Sequence, residues 1–406
     1  MALQETVGST DVSRGSFIND PKIRGIIFQT VVVILLFALV YWIVGNTIEN
    51  LRRSNISSGF GFLRGRAGFD VSSSLIEFTS DSTYARGLVV GFLNTLLVAV
   101  CGIITASIVG FTVGVGRLSH NWLIRKICTV YVEIFRNIPP LLVIFFWYFG
   151  VLSVLPQPRE SIELGVPLGG ENFLSFSTFL NNRGFFMPKP VWGDGSWLIL
   201  AGLVVAIVLT IFVARRAKIR QAATGEQFPV FLTGLGLILG LPILAFFLAG
   251  MPVTLDLPVA STFNLVGGIQ VKPEFLSLYL ALSFYTAAFI AEIVRAGILG
   301  VSKGQSEASA ALGLRSGQAL RLVIIPQAMR IVIPPLTSQY LNLTKNSSLA
   351  IAIGFPDLVA IGGTILNQTG QAIEIVAIWM AVYLGLSLAT SAFMNWFNAK
   401  MALVER

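Results

Sequence analysis

Charge is scarce in this chain. Asp, Glu, Lys and Arg fill 12% of the 406 positions, against 54% for Ala, Val, Ile, Leu, Met, Phe, Trp, Tyr and Cys. A soluble domain carries roughly twice that share of charge, about 25%, so the solvent for most of this chain has to be lipid. Cysteine is nearly absent too: Cys101 and Cys128 lie in or beside apolar runs, too few for a disulfide framework, and the single His120 sits in a short polar loop. That excludes thiol and zinc chemistry, and no catalytic or metal-ligating residue is expected. A phosphate loop of the form G-x-x-x-x-G-K-S/T is missing. No cofactor is therefore expected on this chain, and ATP, if used, must be bound by another. The first apolar run has no small-residue cleavage site after it and reads as a retained span, not a signal peptide.

What the chain has is length without charge. A bilayer core needs about 20 mostly apolar residues per helix, and uncharged runs of that order cover 26–45, 87–116, 137–158, 195–214, 227–255 and 375–399. Two more are interrupted: 275–291 closes on Glu292 and Arg295, and 331–355 contains Lys345. The expectation is an all-α membrane protein with about eight transmembrane helices. The formal charge of +8 is spread through the loops and not gathered into a nucleic-acid patch. With a cytoplasmic N-terminus, sixteen Lys and Arg fall on the inner side and nine on the outer, which favours both termini inside, although the loop after the first helix carries five. Multi-pass placement in a bacterial inner membrane follows.

The organisation read from these runs is a tail at 1–25, an extra N-terminal helix at 26–45 and an outer loop at 46–86 that covers the surface without a core of its own. A first core part follows at 87–150, then an insertion at 151–274 that holds two plain apolar spans between Gly/Pro-rich loops. A second core part covers 275–400, and the core is a five-helix one. Trp42, Trp147, Trp197 and Trp396 fall near expected span ends, where an indole can sit at the headgroup level. Glu133 with Arg136 and Glu292 with Arg295 each put opposite charges at i, i+3 on one helical face.

The segment 300–326 is too polar to span and too patterned to be slack. Ser302 and Gln305 read as a capping box, 307–312 is strong helix-forming sequence, and Gly313 suits a left-handed helix end. A second helix starts at Ser316 and is expected to stop by Pro326. Its Ala and Ser residues give the first helix a thin face fitted to a groove on another protein.

In this segment Glu307-Ala308-Ser309, then Gly313, then Ile325-Pro326 resemble, with matching spacing, the coupling-loop signature of ABC importer permeases. The words around Ala287 to Ile298, Pro326 to Arg330, Pro334-Pro335, Asn342 to Leu349, Gly91 to Leu96 and Phe135 to Pro139 are similar to the polar amino-acid (histidine/glutamine-type) branch, closest to the longer permease of general L-amino-acid transporters. Ser309 replaces the second Ala of the signature, and 151–274 departs from the family pattern. The resemblance implies a type I permease fold and transport of amino acids. It also implies four kinds of partner: a second permease in a heterodimer, a cytoplasmic ATPase dimer, a periplasmic amino-acid-binding protein, and the surrounding lipid. It implies ATPase coupling by Gly304, Gln305, Glu307, Ala308, Ser309, Leu312, Gly313 and Arg315.

For the substrate pathway the candidates are Glu292, Asn137 and Lys345. A carboxylate in a span faces protein or a wet cavity, so Glu292 either meets a substrate ammonium or pairs with Arg295. Lys345, beyond Pro334-Pro335, either faces a cavity or snorkels. The rival reading is an ion-coupled secondary amino-acid transporter needing no ATPase, for which the sequence offers few buried carboxylates.

Overall fold

In the computed structural model the described residues are 21–53, 59–164, 177–261 and 264–401. Most of the tail at 1–25, with Arg14, and the terminal Arg406 lie outside them.

Among the described residues there are twelve α-helices: α1 (Pro21–Arg53), α2 (Tyr84–Gly116), α3 (Trp122–Asn137), α4 (Pro140–Phe145), α5 (Trp197–Thr224), α6 (Val230–Leu248), α7 (Pro273–Leu299), α8 (Lys303–Ala311), α9 (Ser316–Ala319), α10 (Ile325–Asn346), α11 (Leu358–Thr369) and α12 (Ala372–Met401). Among the described residues seven helical stretches are long and apolar enough to cross a bilayer, and a bent pair brings the total to eight. The bend corrects one expected span. The run at 137–158 starts at a break and its helix is short: α3 ends at Asn137, and α4 with its π-helical continuation leaves at 112° and stops at Leu152. Pro139 and Pro140 explain the break, since the residue before a proline is driven out of the helical region.

The centre is the pair α2 and α7, packed on α10. Glycine makes the approach possible. A Cβ on Gly110 would stand 2.6 Å from Ile290 Cβ, one on Gly114 2.7 Å from the Ala291 carbonyl, and one on Gly102 3.1 Å from a Leu343 methyl. Without a hydrophobic drive between helices in lipid, such close small-residue contact is what holds the pair. Val98, Ala106, Leu282, Ile290, Ile333 and Leu343 are buried around it. Helix α3 is pinned to α7 by the Tyr131 hydroxyl, which donates to the Phe284 carbonyl at 2.6 Å.

The loop before α2 is more than a cover. Phe62, Leu63, Phe69, Ile76 and Phe78 pack onto a second cluster formed by Leu88, Val90, Leu358, Ile361 and Ile375. Trp147 also departs from expectation: instead of marking a span end it stacks on Phe284 of α7, ring centroids 5.9 Å apart. Trp197 and Trp396 are exposed, the latter under the Lys400 ammonium.

Between α4 and α7, the loops expected to be irregular form short antiparallel strands: β1 (Ile162–Glu163), β2 (Phe179–Asn181), β3 (Gly184–Met187), β4 (Lys189–Trp192), β5 (Val253–Asp256), β6 (Val259–Ala260), β7 (Leu265–Val266) and β8 (Ile269–Val271). One sheet has the order β1-β2-β3-β8, and β4 pairs with β5. Strands that precede α5 are thus bonded to strands that follow α6, closing the base of an α5–α6 hairpin. In that hairpin Gly234 lies against Thr210, and Gly202 against Ala245. Over 197–214 and 230–248 in the hairpin, and over 26–45 in α1, the exposed side chains are mostly apolar, as in lipid-facing helices.

Candidate functional site

Helix α8 begins where the sequence places it, but its start is built differently. Ser302 takes the cap position in extended conformation, yet its side chain makes no capping bond. Gln305 does not close the box either. Its Oε1 accepts instead from Gln327 Nε2 of α10 at 3.1 Å, tying the short helix to the long one. The other end follows expectation. Gly313 sits at φ +71, the Leu314 amide donates back to the Ser309 carbonyl at 3.1 Å, and the Gly313 amide to Ala310 at 2.9 Å. This is the reciprocal pair of bonds that ends a helix through a left-handed glycine.

Gly304, Gln305, Glu307, Ala308, Leu312, Gly313 and Arg315 are exposed, with Leu312 at 80%. Ser309, the residue that replaces an alanine, faces inward at 3% exposure, and its hydroxyl is satisfied by its own helix through the Gln305 carbonyl at 2.7 Å. A small side chain is needed at that inner position; its one polar atom costs little because it bonds locally. Beyond α8, Gln318 accepts from the Arg315 amide at 3.2 Å to open α9. The chain does not stop at Pro326. It passes through a π turn, Leu320–Ile324, directly into α10, whose first turn holds Pro326, a position where its missing N–H is no loss. From Ser316 onward, α9, the π turn and α10 are therefore one continuous helical stretch.

Behind α8, the end of α7 carries a charge cluster. Arg117, just past α2, donates to the Glu292 carboxylate, and Arg295 grips the same group at 2.6 and 3.1 Å. Arg117 also approaches Glu133 of α3 at 3.7 Å. Of the two i, i+3 pairs read from the sequence, only Glu292 with Arg295 forms; Arg136 lies instead over the Phe289 ring at 5.7 Å. Arg117 was missed, since in the sequence it is one more basic loop residue and its acidic partner is far along the chain. Asn137 is exposed, its amide closing its own helix on the Glu133 carbonyl at 2.7 Å. Lys345 is exposed near the end of α10. No hydrogen bond or ion pair among the described residues joins any two of Glu292, Asn137 and Lys345.

At the opposite end of α2, polar groups are buried together. Asn94 donates to the Ser73 and Pro356 carbonyls at 2.8 and 2.9 Å, and the Leu358 amide donates to Thr95 at 3.1 Å. Asp357 caps α11 by accepting from the Ala360 amide at 2.8 Å. Burial pushes its carboxyl up to about 7, against the opposing pull of the amides it caps.

A family model described as binding-protein-dependent transport system inner membrane component matches residues 228–403. The chain is 66% identical over 387 residues to the general L-amino acid transport system permease protein AapQ of Rhizobium johnstonii, covering 95% of this chain and 94% of that protein. The chain belongs to the binding-protein-dependent ABC permeases. This permease is also 49% identical over 393 residues to the putative amino-acid ABC transporter permease protein YhdX of Escherichia coli, 96% of this chain and 97% of that one. With the glutamate/glutamine/aspartate/asparagine transport system permease protein BztB of Rhodobacter capsulatus it shares 41% over 428 residues, the full length of both. These relatives do not favour the ion-coupled carrier as a reading of the permease.

Proposed function

We propose that the permease carries amino acids inward as one of two unlike membrane subunits, receiving them from a periplasmic binding protein and taking its motion from an ATPase dimer docked on α8. The observation that carries this reading is the pairing of α8, an exposed helix with a glycine-defined end, with α10 through Gln305 and Gln327, α9 and α10 forming one uninterrupted stretch that packs on α7. A push on α8 is thereby delivered to the middle of the bundle. Glu307, Ala308, Leu312 and Arg315 form the face that meets the ATPase, with Gly304 allowing close approach and Ser309 seating the helix from within. The α8 side is the cytoplasmic side, and both termini lie there. ATP is bound by the partner, and the permease itself does no chemistry.

Similarity to carriers of general L-amino acids and of glutamate, glutamine, aspartate and asparagine supports amino acids as cargo. For the pathway, Lys345 and Asn137 offer exposed polar groups, whereas both Glu292 oxygens are already held by guanidinium groups. A substrate ammonium at Glu292 would have to share the carboxylate with both guanidinium groups, whose positive charge opposes it.

Reconstitution tests this. With the second permease, the ATPase and the binding protein in proteoliposomes, amino-acid uptake should require ATP and all four proteins. Uptake in vesicles that lack the ATPase would refute the reading. Glu307→Lys should leave the permease in the membrane but lose the ATPase on co-purification.

A further inference from the structure

The α5–α6 hairpin takes no part in the coupling just described, and its end has a chemistry of its own. The uncharged part of α5, residues 197–214, is about 27 Å long at helical rise, close to the roughly 30 Å of a hydrocarbon core. Trp197, 67% exposed, marks one boundary, and Arg215 and Arg216 begin at the other, followed by Lys218 and Arg220 on the same uninterrupted helix. All four cations are exposed. Arg220 is matched by Glu226 at 2.8 Å. Arg215, Arg216 and Lys218 make no ion pair among the described residues, and Arg216 rests on the Phe212 ring at 5.5 Å.

A groove of about 500 Å³ lies where α5 meets the chain entering α6, with Arg215 and Lys218 on the same helix but outside its lining. Phe212, Val213, Ile219 and Phe228 line it with apolar surface, and Arg216 and Arg220 line it with charge. Gln227, in the connecting turn, shares a second cavity with Arg315, Gln318 and Arg321, so the groove opens on the same side of the membrane as α8.

We propose that this groove holds an anionic glycerophospholipid, its acyl chains along Phe212 and Val213 and its phosphate against Arg216, with Arg215 and Lys218 supplying further charge. The position at the edge of the hydrocarbon, the exposed apolar flank and the uncompensated cations together fit an amphiphile better than a soluble anion or a protein. Basic pockets beside membrane helices select anionic headgroups by this pairing, each cation near the surface contributing about 1 kcal/mol. The bound lipid fastens the hairpin turn beside the coupling segment.

The test uses the whole transporter complex in detergent, titrated with phosphatidylglycerol or phosphatidylcholine vesicles and read by native mass spectrometry for retained lipid. Wild type should retain phosphatidylglycerol and not phosphatidylcholine. The triple variant Arg215→Gln, Arg216→Gln, Lys218→Gln should bind phosphatidylglycerol about tenfold more weakly or worse, while Arg64→Gln in the loop before α2 should match wild type. If the triple variant does not assemble, Arg215→Lys with Arg216→Lys serves instead and should keep the lipid; its loss there would count against a charge-selected site. Retention unchanged in the triple variant overturns the proposal. So does displacement by glycerol 3-phosphate as effective as by vesicles, which would mark a soluble-phosphate site. Loss of the ATPase with lipid retention intact would mark a protein-docking surface and overturn it equally.

Discussion

Arg117 reaches Glu292 across 175 residues of sequence, joining the end of α2 to the last turns of α7. The same guanidinium approaches Glu133, so one side chain ties three helices near the coupling segment. The Arg117 side chain is only 11% exposed and that of Glu292 24%. Removing one partner leaves a half-buried charge short of its match, which is costlier than removing both.

Arg117→Gln should therefore lower stability by about 1–3 kcal/mol, read as a drop in the thermal midpoint of the purified complex. Arg117→Gln combined with Glu292→Gln should cost less than the sum of the two single changes. Strict additivity would show that the pair is not coupled.

Gly114 tests the central packing. A leucine there would drive its Cβ onto the Ala291 carbonyl and the Val294 side chain, at 2.7 and 2.8 Å. Overpacking of this kind costs about 1–3 kcal/mol, and Gly114→Leu should show it as faster trypsin cleavage of the folded permease. Cleavage at the wild-type rate would mean that α2 and α7 are not held at this spacing.

At the end of α8, the left-handed backbone of Gly313 separates two substitutions. Gly313→Asn should be tolerated, because Asn enters that conformation readily, while Gly313→Val carries a penalty of about 1–2 kcal/mol. The valine variant should co-purify with less ATPase than the asparagine variant. Equal recovery would mean that the shape of this helix end does not matter for docking.

Asp357 gives a pH dependence with a definite sign. Its carboxyl titrates near 3.8 when exposed and is pushed up to about 7 by burial. The native state therefore prefers the protonated form. Its stabilisation is complete below about pH 4 and is lost as the pH rises toward 7, by up to about 4 kcal/mol. Asp357→Asn keeps a capping oxygen and removes the titration. The midpoint of wild type relative to this variant should fall between pH 4 and 7 and level off above. A constant difference across that range would mean that the carboxyl is not buried from water in solution.

The spans and the short helix α8 with its glycine end were legible in the sequence for a plain reason: both are local patterns. Twenty uncharged residues announce a helix in lipid wherever they occur, and Glu307, Gly313 and Pro326 are spaced within one stretch. Long-range facts were hidden. Pro139 and Pro140 mark a helix break at the start of the run at 137–158, but nothing local shows that α3 before it, with Arg125, Lys126, Glu133 and Arg136, joins it at 112°. Strands of two to four residues, such as Met187 beside Ile269, owe their existence to pairing across the whole hairpin and leave no periodicity to read. Gln305 looked like half of a capping box, and its true partner lies 22 residues on.

The Tyr148 hydroxyl donates to the Glu274 carboxylate at 3.3 Å, although 126 residues separate them. The polypeptide thus leaves the bundle and returns to it at neighbouring points, and the α5–α6 hairpin is inserted between them. A segment pinned in this way at its two ends can differ in length while Tyr148 and Glu274 keep the same spacing.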